Sequence, residues 1–138
     1  MDFTPYLNFD GTCEEAFHFY AKVFNGKILM MMKHGDMPPG NEPAPEWGEK
    51  IVHARLEANG RILMGSDAPP VYAKKPQGFA VSVLLDTPED ADRVYAALAD
   101  RAEAIDMPIQ ETFWAQRFAM LTDRFGIPWM INCEKRGE

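Results

Sequence analysis

The sequence lacks several features that define whole classes of protein. Its only two cysteines, Cys13 and Cys133, lie far apart and outside any CxxC motif, which excludes a disulfide framework and favours a reducing compartment. It carries 14 Lys and Arg against 21 Asp and Glu, a net charge of −7, and this argues against nucleic acid or an anionic membrane as a partner. No apolar run is long enough to cross a bilayer, and the first twenty residues lack the basic start of a secretory signal. We therefore expect a cytoplasmic protein, with the periplasm as the alternative.

Several common catalytic motifs are absent as well. The sequence has no Gly-rich phosphate loop, no GxSxG and no HExxH. What it has is 138 residues, of which 46% are hydrophobic and 25% charged. That is enough for one globular domain or for two small packed modules.

The first half of the chain predicts the order β-α-β-β-β. A capping box of Thr12 and Glu15 opens the helix, and Asn59-Gly60 predicts the turn of the closing hairpin. A segment with four prolines and three glycines, 35–48, predicts a long loop. The predicted strands are 4–9, 27–33, 51–57 and 61–64.

The second half predicts the same order after a linker at 68–78. Thr87 caps its helix and Pro88 takes the first helical position, and the predicted strands are 79–86, 106–112, 118–122 and 128–133. A fixed offset of 75 residues matches Thr12 with Thr87 and Tyr20 with Tyr95, which indicates a duplicated module; two helices with similar caps are the alternative. We expect one domain, 1–138, with modules at about 1–67 and 78–138.

Three strings carry a resemblance to a known family. They are Pro5-Tyr6-Leu7-Asn8-Phe9, Gln110-Glu111-Thr112-Phe113-Trp114 and the run from Thr122 to Asn132. With the duplicated module, they resemble the PhnB-like branch of the glyoxalase, bleomycin-resistance and extradiol dioxygenase group, the vicinal oxygen chelate superfamily. Members of that branch often carry the name 3-demethylubiquinone-9 3-methyltransferase.

The resemblance implies an α+β fold in which two β-α-β-β-β modules curve their sheets around a cavity, commonly within a homodimer. Many members of the wider family bind a divalent metal there, and others bind only a hydrophobic ligand. The family's metal-ligand positions correspond here to Thr4, Met64, Phe79 and Met130, which supply neither imidazole nor carboxylate. We therefore predict that this chain uses no metal at those positions and no other cofactor.

Without a metal, strand alternation predicts which side chains would line a small-molecule site. Trp114 and Trp129 offer flat surfaces on which a ligand could stack. The alternative is that the lining residues pack a closed core, with the tryptophans filling the ends of the sheets. The predicted ligand-binding residues are Tyr6, Asn8, Ser66, Phe79, Trp114, Trp129 and Asn132.

Two further residues are candidates for acid-base chemistry, His53 and Glu111. His53 and Arg55 share one face of a predicted strand, and a histidine in a cavity can act as acid, base or hydrogen-bond donor near neutral pH. A half-exposed sheet residue or a dimer-interface residue is the alternative for His53.

Two functions follow from these candidates. One is a small-molecule-binding protein; the other is an enzyme of lyase, isomerase or transferase type that uses His53 and Glu111. We also predict a homodimer, because two short curved sheets expose edges and apolar rims.

Overall fold

The computed structural model describes residues 1–38, 40, 45–69, 72 and 74–136. They form two compact units, Met1–Lys74 and Lys75–Glu138. The boundary lies in the segment 68–78 that was predicted to link the modules, of which residues 70, 71 and 73 lie outside the described residues. Within the described ranges, no helix is both long and apolar enough to cross a membrane.

Unit 1 has the predicted order of elements: β1 (Tyr6–Phe9), α1 (Cys13–Val23), β2 (Lys27–Lys33), β3 (Ile51–Ala58) and β4 (Arg61–Asp67). The strands form one mixed sheet, sheet A, in the order β1-β4-β3-β2. β1 runs parallel to β4, and the other neighbours are antiparallel. Asn59 and Gly60, with φ angles of 51° and 76°, make the predicted turn between β3 and β4.

The loop predicted at 35–48 contains two short 3₁₀ helices, at His34–Asp36 and Pro45–Trp47. Residues 39 and 41–44 of that prediction lie outside the described residues. The two ends of the loop meet, because Gly35 N–H donates to the Gly48 carbonyl at 2.9 Å. The loop therefore leaves the sheet and returns to it at one place.

Aromatic side chains pack α1 against one face of sheet A. The ring of Phe9 lies 6.1 Å from Phe17 and 6.5 Å from Tyr20, measured between centroids. Gly65 allows this approach, since a Cβ there would stand 2.8 Å from Phe17 Cε1 and 2.7 Å from the carbonyl oxygen of Leu7. The face that α1 covers is the core of unit 1, and we call the opposite face the distal face of sheet A.

The start of α1 differs from the prediction. The Thr12 side chain makes no capping hydrogen bond, so the predicted capping box with Glu15 is wrong. The carboxylate of Asp67, only 2% exposed, instead accepts from the backbone N–H groups of Cys13 and Ile51, each at 2.9 Å. A carboxylate at this place satisfies a helical N–H group and favours the helix dipole. One side chain at the end of β4 thus holds the starts of α1 and β3.

Unit 2 repeats the order with β5 (Val81–Leu84), α2 (Pro88–Ala99), β6 (Ala104–Gln110), β7 (Ala115–Thr122) and β8 (Pro128–Glu134). Sheet B has the order β5-β8-β7-β6. As in sheet A, the first strand of the unit along the chain, β5, runs parallel to the last, β8. The predicted cap is confirmed here, since the Thr87 hydroxyl accepts from Asp90 N–H at 3.1 Å. Each described sheet keeps two edge strands, so neither closes into a barrel, and the predicted α+β class with two β-α-β-β-β modules is confirmed.

Strand pairing shows which residues of the two units correspond. Tyr6 pairs with Met64 in sheet A, and Ser82 pairs with Met130 in sheet B. Met64 corresponds to Met130 when the two units are aligned on the hairpin glycines, Gly60 and Gly126. The first strands, however, correspond at an offset of 82 − 6 = 76, one more than the 75 that separates the helix starts. Phe79, matched to Thr4 by the offset of 75, is therefore one residue out of register.

Candidate functional site

The distal face of sheet A carries two predicted site residues on β1 and one on β4. Phe9 contacts α1 and Gly65 adjoins it. Side chains alternate along a strand, so Tyr6 and Asn8 on β1 and Ser66 on β4 point to the distal face. Asn8 and Ser66 are also partners in the parallel pairing.

β3 adds His53 to the same face. Arg55 pairs with Met64, which lies next to Gly65 and points away from α1. Arg55 and its neighbour on the same face, His53, therefore point to the distal face as well. The structure thus brings together four of the predicted site residues: Tyr6, Asn8, His53 and Ser66.

Tyr6 and His53 contact each other over β4. Their rings are stacked, with centroids 5.8 Å apart and planes 25° from parallel, and the Tyr6 hydroxyl oxygen lies 3.3 Å from His53 Nδ1. β1 and β3 are not neighbours in the sheet, so both side chains lean across the strand between them. When the hydroxyl donates to Nδ1, a neutral His53 carries its proton on Nε2. The ring then offers an N–H donor to a molecule beyond the pair.

Methionines surround this polar pair. On β2, Met30 pairs with Arg55 and Met32 pairs with His53, and their side chains are 44% and 37% exposed. Arg55 also pairs with Met64, so it lies between two methionines in one row across the sheet. Thioether side chains adapt to irregular apolar shapes. The face therefore combines an adaptable apolar surface with a few polar groups.

Unit 2 has a distal face of its own, opposite α2. Arg117 pairs with Cys133 and forms an ion pair of 3.1 Å with an aspartate of α2. The preceding residue, Asn132, therefore points away from α2, together with its partners Phe118 and Leu84.

An aromatic group covers part of this second face. The Trp114 ring lies 5.3 Å from Phe118 and 4.8 Å from Phe113, both edge to face, and Trp114 is 44% exposed. The Oδ1 atom of Asn132 is buried and has no hydrogen-bond partner among the described residues. Trp114 and Asn132 thus lie on the same side of sheet B.

Trp129 requires a correction. It lies three residues before Asn132 on β8, so its side chain points to the opposite face, toward α2. It is 2% exposed and donates its indole N–H to Asp123 Oδ2 at 2.8 Å. The side chain fills the core between sheet B and α2 and holds a buried carboxylate. The prediction that Trp129 offers a surface to a ligand is therefore wrong.

The two remaining predicted residues lie outside the strands. Glu111 follows β6, its side chain is 68% exposed, and it forms an ion pair of 3.5 Å with Lys135. Phe79 precedes β5 and is 57% exposed. Their roles in a site stay predictions.

Sequence reasoning missed some members of the distal face of sheet A. Alternation along β3 put Arg55 on the same face as His53. The sequence did not show, however, that Arg55 has no ion-pair partner among the described residues. The run Met30-Met31-Met32 does not show by itself which side chains face which way, and the pairing of β2 with β3 has a register shift just before Met30. Only the cross-strand partners reveal that Met30 and Met32 join the site.

The residues at the family's metal positions do not fit a divalent cation. Thr4, Met64, Phe79 and Met130 offer no imidazole or carboxylate, which such ions prefer. Ala80, which corresponds to Thr4 at the offset of 76, supplies no ligand either. The described part of the chain also contains no cluster of three or more His, Cys, Asp or Glu placed to hold a metal. Burial, followed by the charge of Asp67, raises the pKa of the Cys13 thiol far above its ordinary 9.0. That thiol stays protonated, so it supplies neither a thiolate ligand nor a nucleophile.

The fold agrees with a comparison against known families. The model of the Glyoxalase/Bleomycin resistance protein/Dioxygenase superfamily matches residues 5–131, almost the whole chain. The protein therefore belongs to this superfamily.

Individual relatives extend the match and confirm the resemblance to PhnB-like proteins. Protein YjdN of Escherichia coli (strain K12) is 33% identical over 144 residues, covering 99% of this chain and 97% of YjdN. The crystal structure of protein PA1353 from Pseudomonas aeruginosa has 42% identity and a TM-score of 0.89, with 99% of each chain covered. A PhnB protein from Bacillus cereus, described as a proposed 3-demethylubiquinone-9 3-methyltransferase, has 27% identity and a TM-score of 0.76, covering 96% of this chain and 99% of its own.

Proposed function

We propose that this protein binds a small, partly apolar molecule on the distal face of sheet A, without a metal. The observation that carries the proposal is the contact between Tyr6 and His53, whose hydroxyl oxygen and Nδ1 are 3.3 Å apart. Two polar rings from separate strands meet there among methionines. A few convergent polar groups on an apolar surface are the usual composition of a small-molecule site.

The polar groups of this face support recognition by hydrogen bonds. His53 offers an Nε2–H donor when Tyr6 donates to Nδ1, and Asn8 and Ser66 add an amide and a hydroxyl that can each donate or accept. Tyr6, 44% exposed, also gives an aromatic surface. A ligand with a flat or aliphatic body and a few polar atoms fits this combination.

A screen of small aromatic and aliphatic molecules by protein-observed NMR tests the proposal. We expect binders to shift the ring resonances of Tyr6 and His53. His53→Gln should weaken binding by about one hydrogen bond, on the order of 1 kcal/mol. His18→Gln is the matched control, because His18 is an exposed histidine on α1; it should leave binding unchanged. Binders that shift only residues away from the distal face would contradict the proposal.

The proposal that binding needs no metal ion has a separate test. Elemental analysis of protein purified without chelator or affinity metal should find no stoichiometric divalent ion, because the mapped positions lack suitable ligands. One equivalent of a protein-bound divalent ion would instead point to a metalloenzyme.

The same contact favours a second candidate function, acid-base catalysis of lyase, isomerase or transferase type. When the Tyr6 hydroxyl donates to Nδ1, His53 is oriented to move a proton at Nε2. In an enzyme, His53→Gln should lower turnover roughly 100-fold or more while the fold is kept, whereas a pure binder would lose only affinity. Methyl transfer to a demethylated ubiquinone precursor is one reaction to assay, given the description of the Bacillus cereus relative.

A further inference from the structure

We propose that the molecule bound on the distal face of sheet A is an apolar monocarboxylate, and that Arg55 binds its negative group. This inference rests on the proposed function, because it names the ligand class of the same site. Arg55 lies on β3, the strand that carries His53, between Met30 on β2 and Met64 on β4. Its guanidinium has no ion-pair partner among the described residues, and this juxtaposition leads to the proposal.

Arg55 differs from the paired arginines of the chain. Four of the other six, Arg93, Arg101, Arg117 and Arg124, each lie within ion-pair distance of an aspartate. Of the remaining two, Arg61 is the first residue of β4 and Arg136 follows the last strand, so among the arginines without an ion pair in the described residues only Arg55 lies within the body of a strand. Arg55 makes no ion pair and no side-chain hydrogen bond within the described residues. In a chain with a net charge of −7, acidic residues are abundant, yet none in the part of the chain that the structure describes pairs with this cation in the body of β3.

No anion of the described residues pairs with Arg55. Glu57 is the next residue on the same face of β3, and its cross-strand partner is Lys27, but Glu57 forms no ion pair with Arg55. The cross-strand neighbours of Arg55 itself are Met30 and Met64. Neither carries a charge, and Arg55 is exposed, so its guanidinium is accessible to an anion from solution.

The chemistry of the face then indicates the ligand class. A guanidinium binds a carboxylate through two parallel hydrogen bonds, which a neutral amide cannot reproduce. Tyr6, Met30 and Met32 expose apolar surface beside it, where an aromatic or aliphatic body would pack. His53, two residues along the strand, can donate a further hydrogen bond to the same carboxylate or to a second polar group.

The test uses matched pairs of charged and neutral probes on the full chain. The probes are 2-naphthoate with 2-naphthamide and octanoate with octanamide, and binding is measured by titration calorimetry and NMR. The variant is Arg55→Gln. The control is Arg61→Gln, which removes the same charge from unit 1 at an exposed position in the β3–β4 hairpin.

We expect the unmodified protein to bind at least one carboxylate about tenfold tighter than its amide, the worth of one strong charge-assisted contact. Arg55→Gln should abolish that preference while leaving the affinity for the amide within about twofold, and Arg61→Gln should keep it. Equal affinity for carboxylate and amide, or a preference that survives in Arg55→Gln, would overturn this inference and leave the proposed function standing. If none of the four probes binds at this face, both proposals fail.

Discussion

Replacing Asp67 by Asn tests the central structural link of unit 1. The Asp67 carboxylate is almost completely buried and accepts one hydrogen bond at each oxygen, from the N–H groups of Cys13 and Ile51. An amide has one oxygen and one NH₂ group, so one of these N–H groups would face another donor. The substitution keeps the size of the side chain and changes only its hydrogen bonding and charge.

The expected cost combines two losses. An N–H group that loses a charged acceptor in a buried place costs about 1.5 to 3 kcal/mol. Removing the negative charge from the start of α1 costs up to about 1 kcal/mol more. We therefore expect Asp67→Asn to lower the free energy of unfolding by about 3 kcal/mol, which for a chain of this size lowers Tm by roughly 10 °C.

Urea and thermal unfolding followed by circular dichroism measure this loss. Asp10→Asn is the control, because Asp10 carries the same charge at an exposed position just after β1. Hydrogen exchange should also become faster at the amides of Cys13 and Ile51. A loss below about 0.5 kcal/mol in Asp67→Asn, or an equal loss in both variants, would refute the reasoning.

Three further predictions concern packing, titration and assembly. Gly65→Ala should lower the free energy of unfolding by about 2 kcal/mol, since the new Cβ would meet Phe17 and the Leu7 carbonyl; unfolding curves that coincide with those of the unmodified protein would contradict it. The neutral Cys13 thiol, whose pKa is raised by burial, stabilises the fold fully below pH 9.0; this stability is lost as pH rises above that value, by up to about 1.4 kcal/mol per pH unit. In urea titrations from pH 8 to 10.5, Cys13→Ala should therefore lose less stability with pH, and equal slopes would be the contrary result. Light scattering at micromolar concentration should show a homodimer, and a monodisperse species of 15.6 kDa would count against it.

Most of the fold could be predicted from local patterns. Turn residues such as Asn59-Gly60, the Thr87 cap and the spacing of apolar residues act within a few positions, so they are visible in the sequence. The start of α1 could not be predicted in this way. Thr12 and Glu15 form a good local capping signal, but the residue that satisfies Cys13 N–H is Asp67, 54 residues further along the chain.

The candidate site was only partly predictable for the same reason. Alternation groups residues two apart on one strand, and it correctly joined Tyr6 with Asn8. It does not give the register between strands, on which the contact between Tyr6 and His53 depends. For Trp129, the sequence predicted a site residue that the structure places in the core. A tryptophan suits a ligand site and a core equally well, so its residue type alone could not decide between them.

The parallel pairing of β1 with β4 has a consequence for the order in which the protein assembles. β1 is made before the other strands of unit 1, but its neighbour in the sheet, around Met64, is among the last parts of unit 1 to be made. Pairings between residues so distant in sequence form slowly, because a long loop must close before they contribute. Tyr6 and His53 meet only over β4, so the contact cannot exist in a nascent chain that ends before this strand. The distal face of sheet A is therefore completed last in unit 1, and the ligand we propose for it would recognise only chains in which unit 1 has finished folding.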